Sequence, residues 1–130
     1  MNLESPVVSV SKSSAYLYDA LSDIKNFERL MPDNIAKFEV IDENCFEFGL
    51  KGMPEIKLVK KSATPTSEII LGAASSKLPF TLVAKLNETS AEQTDVQLFF
   101  EGDFNPMMAM MIKSPIGKFI ETLAQNMVKL

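Results

Sequence analysis

Histidine and tryptophan are absent from this chain, cysteine occurs once, and only five glycines are spread through 130 residues. Each scarcity removes a class of chemistry. Without histidine there is no Ser-His or Cys-His activated nucleophile and no imidazole ligand for a metal. The lone Cys45 excludes an internal disulfide and a cysteine zinc site, and it fits a quiet strand position in a reducing compartment. The glycines form neither a Gly-x-Gly-x-x-Gly nor a Walker-type loop, so a phosphate cradle or dinucleotide fingerprint is missing. No metal or other cofactor is expected. No apolar run approaches the roughly 20 residues that cross a bilayer, so no integral membrane segment is expected. Met1-Asn2-Leu3-Glu4-Ser5 lacks the basic start and apolar core of a secretory signal, which leads to the expectation of a cytoplasmic protein.

What is present suits one soluble domain over residues 1–130, with 46% hydrophobic and 23% charged residues. Thirteen basic against 17 acidic residues give a net charge of −4, a poor field for attracting phosphate backbones, so nucleic acid is not an expected partner. Lys57, Lys60 and Lys61 survive that average as a local group. On a strand, Lys57 and Lys61 share a face and Lys60 takes the other, the pattern of solvated edges that discourage aggregation.

Periodicity divides the chain into elements. Pro6 to Ser11 alternates toward its end as a short strand. Ser13 or Ser14 then caps a helix whose Leu17, Ala20, Leu21 and Ile24 recur at three-and-four spacing. Asn26 offers a cap for a second short helix, Phe27 to Met31, which Pro32 stops. From Ile35 the period becomes two: Phe38 and Val40 share a face, Asp42-Glu43-Asn44 turns, and Phe46, Phe48 and Leu50 share the next. Strands over Glu55–Ser62, Ser67–Ala74, Phe80–Asn87 and Thr94–Phe104 follow. Gly52-Met53-Pro54, Thr64-Pro65-Thr66, Ser75-Ser76-Lys77 and Thr89–Gln93 separate them. Seven strands result, six of them consecutive and so antiparallel neighbours.

The end of the chain is one long amphipathic helix. Asn105 caps it and Pro106 occupies its first position, where no hydrogen bond is lost. Met108, Ile112, Ile116, Phe119, Ile120, Leu123, Met127 and Leu130 form its apolar side, while Lys113, Glu121, Gln125 and Met110 lie opposite. Pro115, followed by Gly117, is expected to remove the bond to residue 111 and bend the helix around a curved sheet.

Strand, two short helices, six antiparallel strands and one long terminal helix resembles the helix-grip fold of the START-like superfamily, also called SRPBCC or Bet v 1-like. The most specific local likeness runs from Val7 through Ser13, Tyr16, Leu21 and Ile24 to Phe27-Glu28-Arg29-Leu30-Met31-Pro32. The resemblance implies an α+β fold in which a seven-stranded curved antiparallel sheet closes around the terminal helix. It also implies a hydrophobic cavity between them, which in relatives accepts lipids, sterols or polyketides. Matched face by face onto this sequence, the resemblance puts Phe38, Phe46, Phe48, Phe80, Leu82, Leu98 and Phe100 on the concave side as part of the ligand-binding set. Met108, Met111, Ile112, Phe119 and Leu123 face them from the helix as the rest of that set.

Three functions fit this frame. The first is a carrier or sensor of an apolar small molecule, which needs empty volume between helix and sheet. A polyketide cyclase or aromatase-like enzyme is the second, yet no catalytic residue is assigned. Its polar candidates Glu47, Glu101 and Asp103 alternate away from the aromatic face, Tyr16 and Tyr18 are expected to bridge helix and sheet, and Asp19 and Asp23 form a solvated pair. The third is a protein-interaction module, with Met107 and Met110 projecting from the apolar stripe as a homodimer contact or partner patch.

Overall fold

The computed structural model describes residues 2–33, 35–51, 55–73 and 80–130. The strands are β1 (Asn2–Glu4), β2 (Val8–Val10), β3 (Ile35–Asp42), β4 (Cys45–Leu50), β5 (Ile56–Thr64), β6 (Glu68–Ala73), β7 (Phe80–Ser90) and β8 (Gln93–Gly102). Helix α1 spans Ser14–Ser22, a 3-10 helix spans Ile24–Leu30, and α2 runs from Pro106 to Asn126 before a last 3-10 turn at Met127–Lys129. The expected separators Gly52-Met53-Pro54 and Ser75-Ser76-Lys77 lie outside the described residues.

All eight strands form one curved antiparallel sheet in the order β1-β8-β7-β6-β5-β4-β3, with β2 also paired to β8. The first strand expected at Pro6–Ser11 is β2, and β1 at Asn2–Glu4 precedes it as a strand beyond the seven expected. Leu3 lies opposite Phe100 and Val8 opposite Val96, so β1 and β2 follow one another along the same edge of β8. Ser5 makes the interruption possible. Its amide donates to the Leu98 carbonyl at 2.8 Å, its hydroxyl accepts from the Leu98 amide at 2.9 Å, and its carbonyl accepts from the Gln97 side chain at 2.9 Å. A residue only 2% exposed thus satisfies its polar groups across the break, as burial demands.

The helical segments begin where side chains supply missing acceptors. Ser13 Oγ accepts the Tyr16 amide at 3.1 Å and starts α1. The second segment is capped three residues earlier than expected, by Asp23 and not Asn26, because Asp23 Oδ1 accepts the Lys25 amide at 3.1 Å. Ile24 consequently belongs to the 3-10 segment and not to the stripe of α1. Asn26 instead donates its side-chain amide to the Ala20 carbonyl at 2.8 Å, stitching the two helices together. Asn105 Oδ1 accepts the Met108 amide at 2.8 Å and opens α2 as its sequence indicates, and the helix continues through Pro115 as one element.

The core sits between the concave sheet face and these helices. Leu58, Ile69, Leu82, Leu98 and Phe100 enter it from the sheet, Leu17 and Leu21 from α1, and Ile116, Phe119, Ile120 and Leu123 from α2. Asn126 donates to the Leu30 carbonyl at 2.9 Å and fastens the far end of α2 to the 3-10 helix. Strand β3 forms the edge opposite β1, and its pairing with β4 shifts register twice, between Ile35 and Lys37 and between Val40 and Asp42.

Candidate functional site

Where α2 crosses the sheet, an apolar crevice opens between them. Phe48, Ile56, Leu58, Phe80, Leu82 and Phe100 form its sheet side, and Phe104, Met108, Ile112, Ile116 and Phe119 form the side leading into and along α2. Every described lining residue is apolar. Two aromatic groups define its ends. Phe48 stacks on Phe119 at 4.7 Å with planes 9° apart, and Phe100 lies between Phe80 at 5.1 Å and Phe104 at 6.1 Å.

Gly102 decides how the second end closes. A Cβ there would come within 2.7 Å of Phe104 Cζ and 3.1 Å of Phe80 Cβ. Only a hydrogen leaves room for the Phe104 ring to fold back over the last residue of β8 and seal the mouth. Met108, half-buried in the first turn of α2, fills space beside it with an unbranched, adaptable side chain.

The free space is narrow. The crevice has a cavity volume of about 30 Å³. A water needs roughly 10–15 Å³ by that measure together with two or more polar partners, and this lining offers none. The expected empty container is therefore corrected to a dry crevice filled by the protein's own rings and by Met108.

The structure brings Phe48, Phe80, Leu82, Phe100, Met108, Ile112 and Phe119 of the expected set to this crevice. It places Phe46, Leu98 and Leu123 in the surrounding core, each 2% exposed or less. Phe46 stacks on Phe27 at 5.3 Å, and half-buried Phe38 leans on Phe46 at 5.3 Å from the edge strand, so both belong to packing under the 3-10 helix. Met111 departs from expectation: it is 68% exposed, because one step of about 100° from Ile112 carries it off the buried stripe. Ile56, Leu58, Phe104 and Ile116 complete the lining without having been assigned to it. For Ile56 and Leu58 the signal was their alternation with exposed Lys57. Phe104 carried the same period-two signal, facing with Val96, Leu98 and Phe100 in the strand expected to end at it, although β8 stops at Gly102.

A wider cleft adjoins the crevice on the other side of Phe119. Pro32 and Leu50 form its apolar floor, and α2 contributes Ser114, Pro115, Lys118, Phe119 and Thr122 around about 410 Å³. A further open cleft of about 510 Å³ lies between the start of the 3-10 helix and the β3–β4 turn. There Asp23, Asp42 and Glu43 mix with Lys25 and Lys60.

The strongest electrostatic feature lies on the opposite sheet face. Lys37 Nζ sits 2.5 Å from Glu47, 3.4 Å from Glu55 and 3.6 Å from Glu39. The hydrogen bond to Glu47 raises the Lys37 pKa, and the same bond lowers that of Glu47. Burial and the charge of Asp42 push the Cys45 thiol up, so it stays protonated. Glu101 and Asp103 are exposed, and Tyr16 is 47% exposed with the Lys12 ammonium 5.1 Å above its ring. Tyr16 thus does not bridge helix and sheet, whereas Tyr18 is half-buried against the core. Among the described residues no group of His, Cys, Asp and Glu is arranged to hold a metal ion, and no helix is long and apolar enough to cross a membrane.

No family model and no curated protein matches the sequence. Solved structures do match across the chain. Norcoclaurine synthase from Thalictrum flavum, in complex with dopamine and hydroxybenzaldehyde, superposes with a TM-score of 0.74 at 11% identity, covering 99% of this chain and 84% of the synthase. The Zhui aromatase/cyclase from Streptomyces sp. R1128 gives 0.74 at 11% identity, covering 99% and 92%. A conserved protein from Geobacillus kaustophilus gives 0.71 at 12%, covering 99% and 93%. With one curved sheet, paired short helices and a terminal helix laid across the concave face, the chain has the helix-grip fold, as the likeness to these solved structures shows.

Proposed function

We propose that this protein is a single-domain cytoplasmic binder of a hydrophobic small molecule, lipid-like or polyketide-like, and that it carries or senses that molecule in the crevice under α2. The observation that carries the reading is the composition of the crevice wall: eleven side chains from four strands, α2 and the segment before it, none of them polar. Burial of ligand surface supplies the driving force. Because the crevice is narrow, binding is coupled to displacement of lining side chains, Met108 among them, and affinity is reduced by the rarity of the open state.

Two neighbours in fold, one an aromatase/cyclase and the other a synthase complexed with dopamine and hydroxybenzaldehyde, support the binding of a small molecule. Holding is favoured over catalysis because Glu47 is engaged by Lys37 on the far face and Glu101 and Asp103 are exposed. Titration with the neutral apolar dye N-phenyl-1-naphthylamine tests the proposal. Saturable fluorescence gain, lost in Met108→Glu and retained in Met111→Glu, is expected. A folded protein that gives no saturable signal overturns the reading.

Met107, Met110 and Met111, at 75%, 83% and 68% exposure, support a second reading in which α2 pairs with another copy of the chain. Light scattering across a concentration series, with Met110→Glu alongside, decides it: a mass equal to one chain throughout removes the dimer.

A further inference from the structure

We propose that the ligand is a long-chain carboxylate whose head is held on the Ser114–Lys118–Thr122 flank of α2 and whose tail passes Phe119 into the apolar crevice. This rests on the binding reading above and names the chemistry of the ligand. Phe119 is the link, since its ring is a wall of both the crevice and the adjoining cleft. The two spaces differ in kind. The crevice is narrow and wholly apolar, whereas the cleft, at about 410 Å³, is spacious and presents polar groups above the apolar floor of Pro32 and Leu50. An amphiphile matches that sequence of environments better than a uniformly apolar guest.

The sign of the head follows from charge. Ser114, Lys118 and Thr122 recur every four residues and so share one flank of α2. Among the described residues Lys118 is the single charged one in the cleft wall, and it has no ion-pair partner there. Neither hydroxyl is engaged by another described residue. A net charge of −4 gives no long-range attraction for an anion, and the cleft near Asp23, Asp42 and Glu43 sets three carboxylates against Lys25 and Lys60. The Lys118 cleft offers one ammonium and two hydroxyl donors instead, a complement suited to the two oxygens of a carboxylate. A phosphate dianion calls for a denser set of donors, commonly including arginine.

The test titrates the full chain, carrying 13C-labelled methionine methyls, with sodium decanoate and with 1-decanol, so that tail length is held fixed and only head charge changes. The Met108 methyl reports the tail and the affinities report the head. Both ligands are expected to move the Met108 resonance, with decanoate the tighter. Lys118→Ala should weaken decanoate about 2–5-fold and Lys118→Glu about tenfold, the range of a solvent-exposed ion pair. The alcohol should change by less than about twofold on the same scale, and added salt should weaken decanoate alone. Equal affinities for the two ligands, or decanoate binding indifferent to Lys118, overturns the head assignment and leaves the crevice reading standing. Decanoate bound through Lys118 without movement of Met108 overturns the tail path. No resonance moved by either ligand overturns the crevice reading and this inference with it.

Discussion

Replacing Phe119 by alanine removes the partition between the crevice and the cleft, and its cost follows from the packing described above. The ring is 4% exposed and lies 4.7 Å from Phe48 in a stack tilted by only 9°. Transfer of its apolar surface contributes about 1.5–3 kcal/mol, and the lost stack about 0.5–1.5 kcal/mol more. Buried Phe→Ala changes cost roughly 3–5 kcal/mol in all. Here the low end, about 3 kcal/mol, is expected because the vacated space borders an open cleft that water can enter. Against a typical total of about 5–15 kcal/mol, the variant remains folded. At about 4 °C per kcal/mol for a chain of this size, its midpoint falls by roughly 12 °C.

The same substitution tests the binding site. A site opened beside an apolar crevice should accept benzene, and saturating benzene should restore part of the lost stability through mass action. Thermal unfolding followed by circular dichroism, with and without benzene, reads both effects. A midpoint loss under about 4 °C would show that Phe119 is not packed as described. A full loss with no recovery in benzene would show that the seam collapses when emptied, and the idea of an openable pocket would fail.

Other expectations follow from single contacts. Gly102→Val drives a side chain into Phe104 and Phe80, and should cost about 1–3 kcal/mol while raising binding of N-phenyl-1-naphthylamine at the unsealed mouth. Unchanged dye binding would remove Phe104 as the seal. Asn105→Ala deletes the acceptor of the Met108 amide and should lower urea stability by about 1 kcal/mol; no change would mean that the cap is already satisfied by solvent. Because the Lys37 bond depresses the Glu47 pKa, the stabilisation it brings is present above the ordinary carboxylate value of 4.5 and is lost as pH falls through the lower folded value. Glu47→Gln should therefore flatten the acid limb of a pH–stability curve measured by urea unfolding, and an unaltered acid limb would refute that linkage.

Much of this architecture was legible because local chemistry and global packing agree in it. Asn105-Pro106 announces the start of α2 through a missing donor and a ready acceptor, and the period-two runs from Ile35 onward mark the strands of the sheet. The misreadings have local causes. Asn26 is an equally good cap by residue type, but Asp23 reaches an amide first, and Asn26 is left to bond Ala20. Ser5 looks like an ordinary polar residue before a strand, and its role appears only once β8 lies beside it. The size of the crevice is hardest to read, because 30 Å³ or several hundred depends on how Phe104 folds back over Gly102 and on which way Met108 extends. Apolar alternation is the same in either case.

The two register shifts in β3 bear on how this molecule lives among its own kind. An outermost strand with a regular ladder is a template onto which a neighbouring chain can zip, and the row of free amides and carbonyls invites endless stacking. Here the outer strand is kinked near both ends, at Ile35–Lys37 and at Val40–Asp42, and Lys37 stands within it. Such a rim is a poor seed for fibrils, so crowding should bring these molecules together through side chains rather than through backbone.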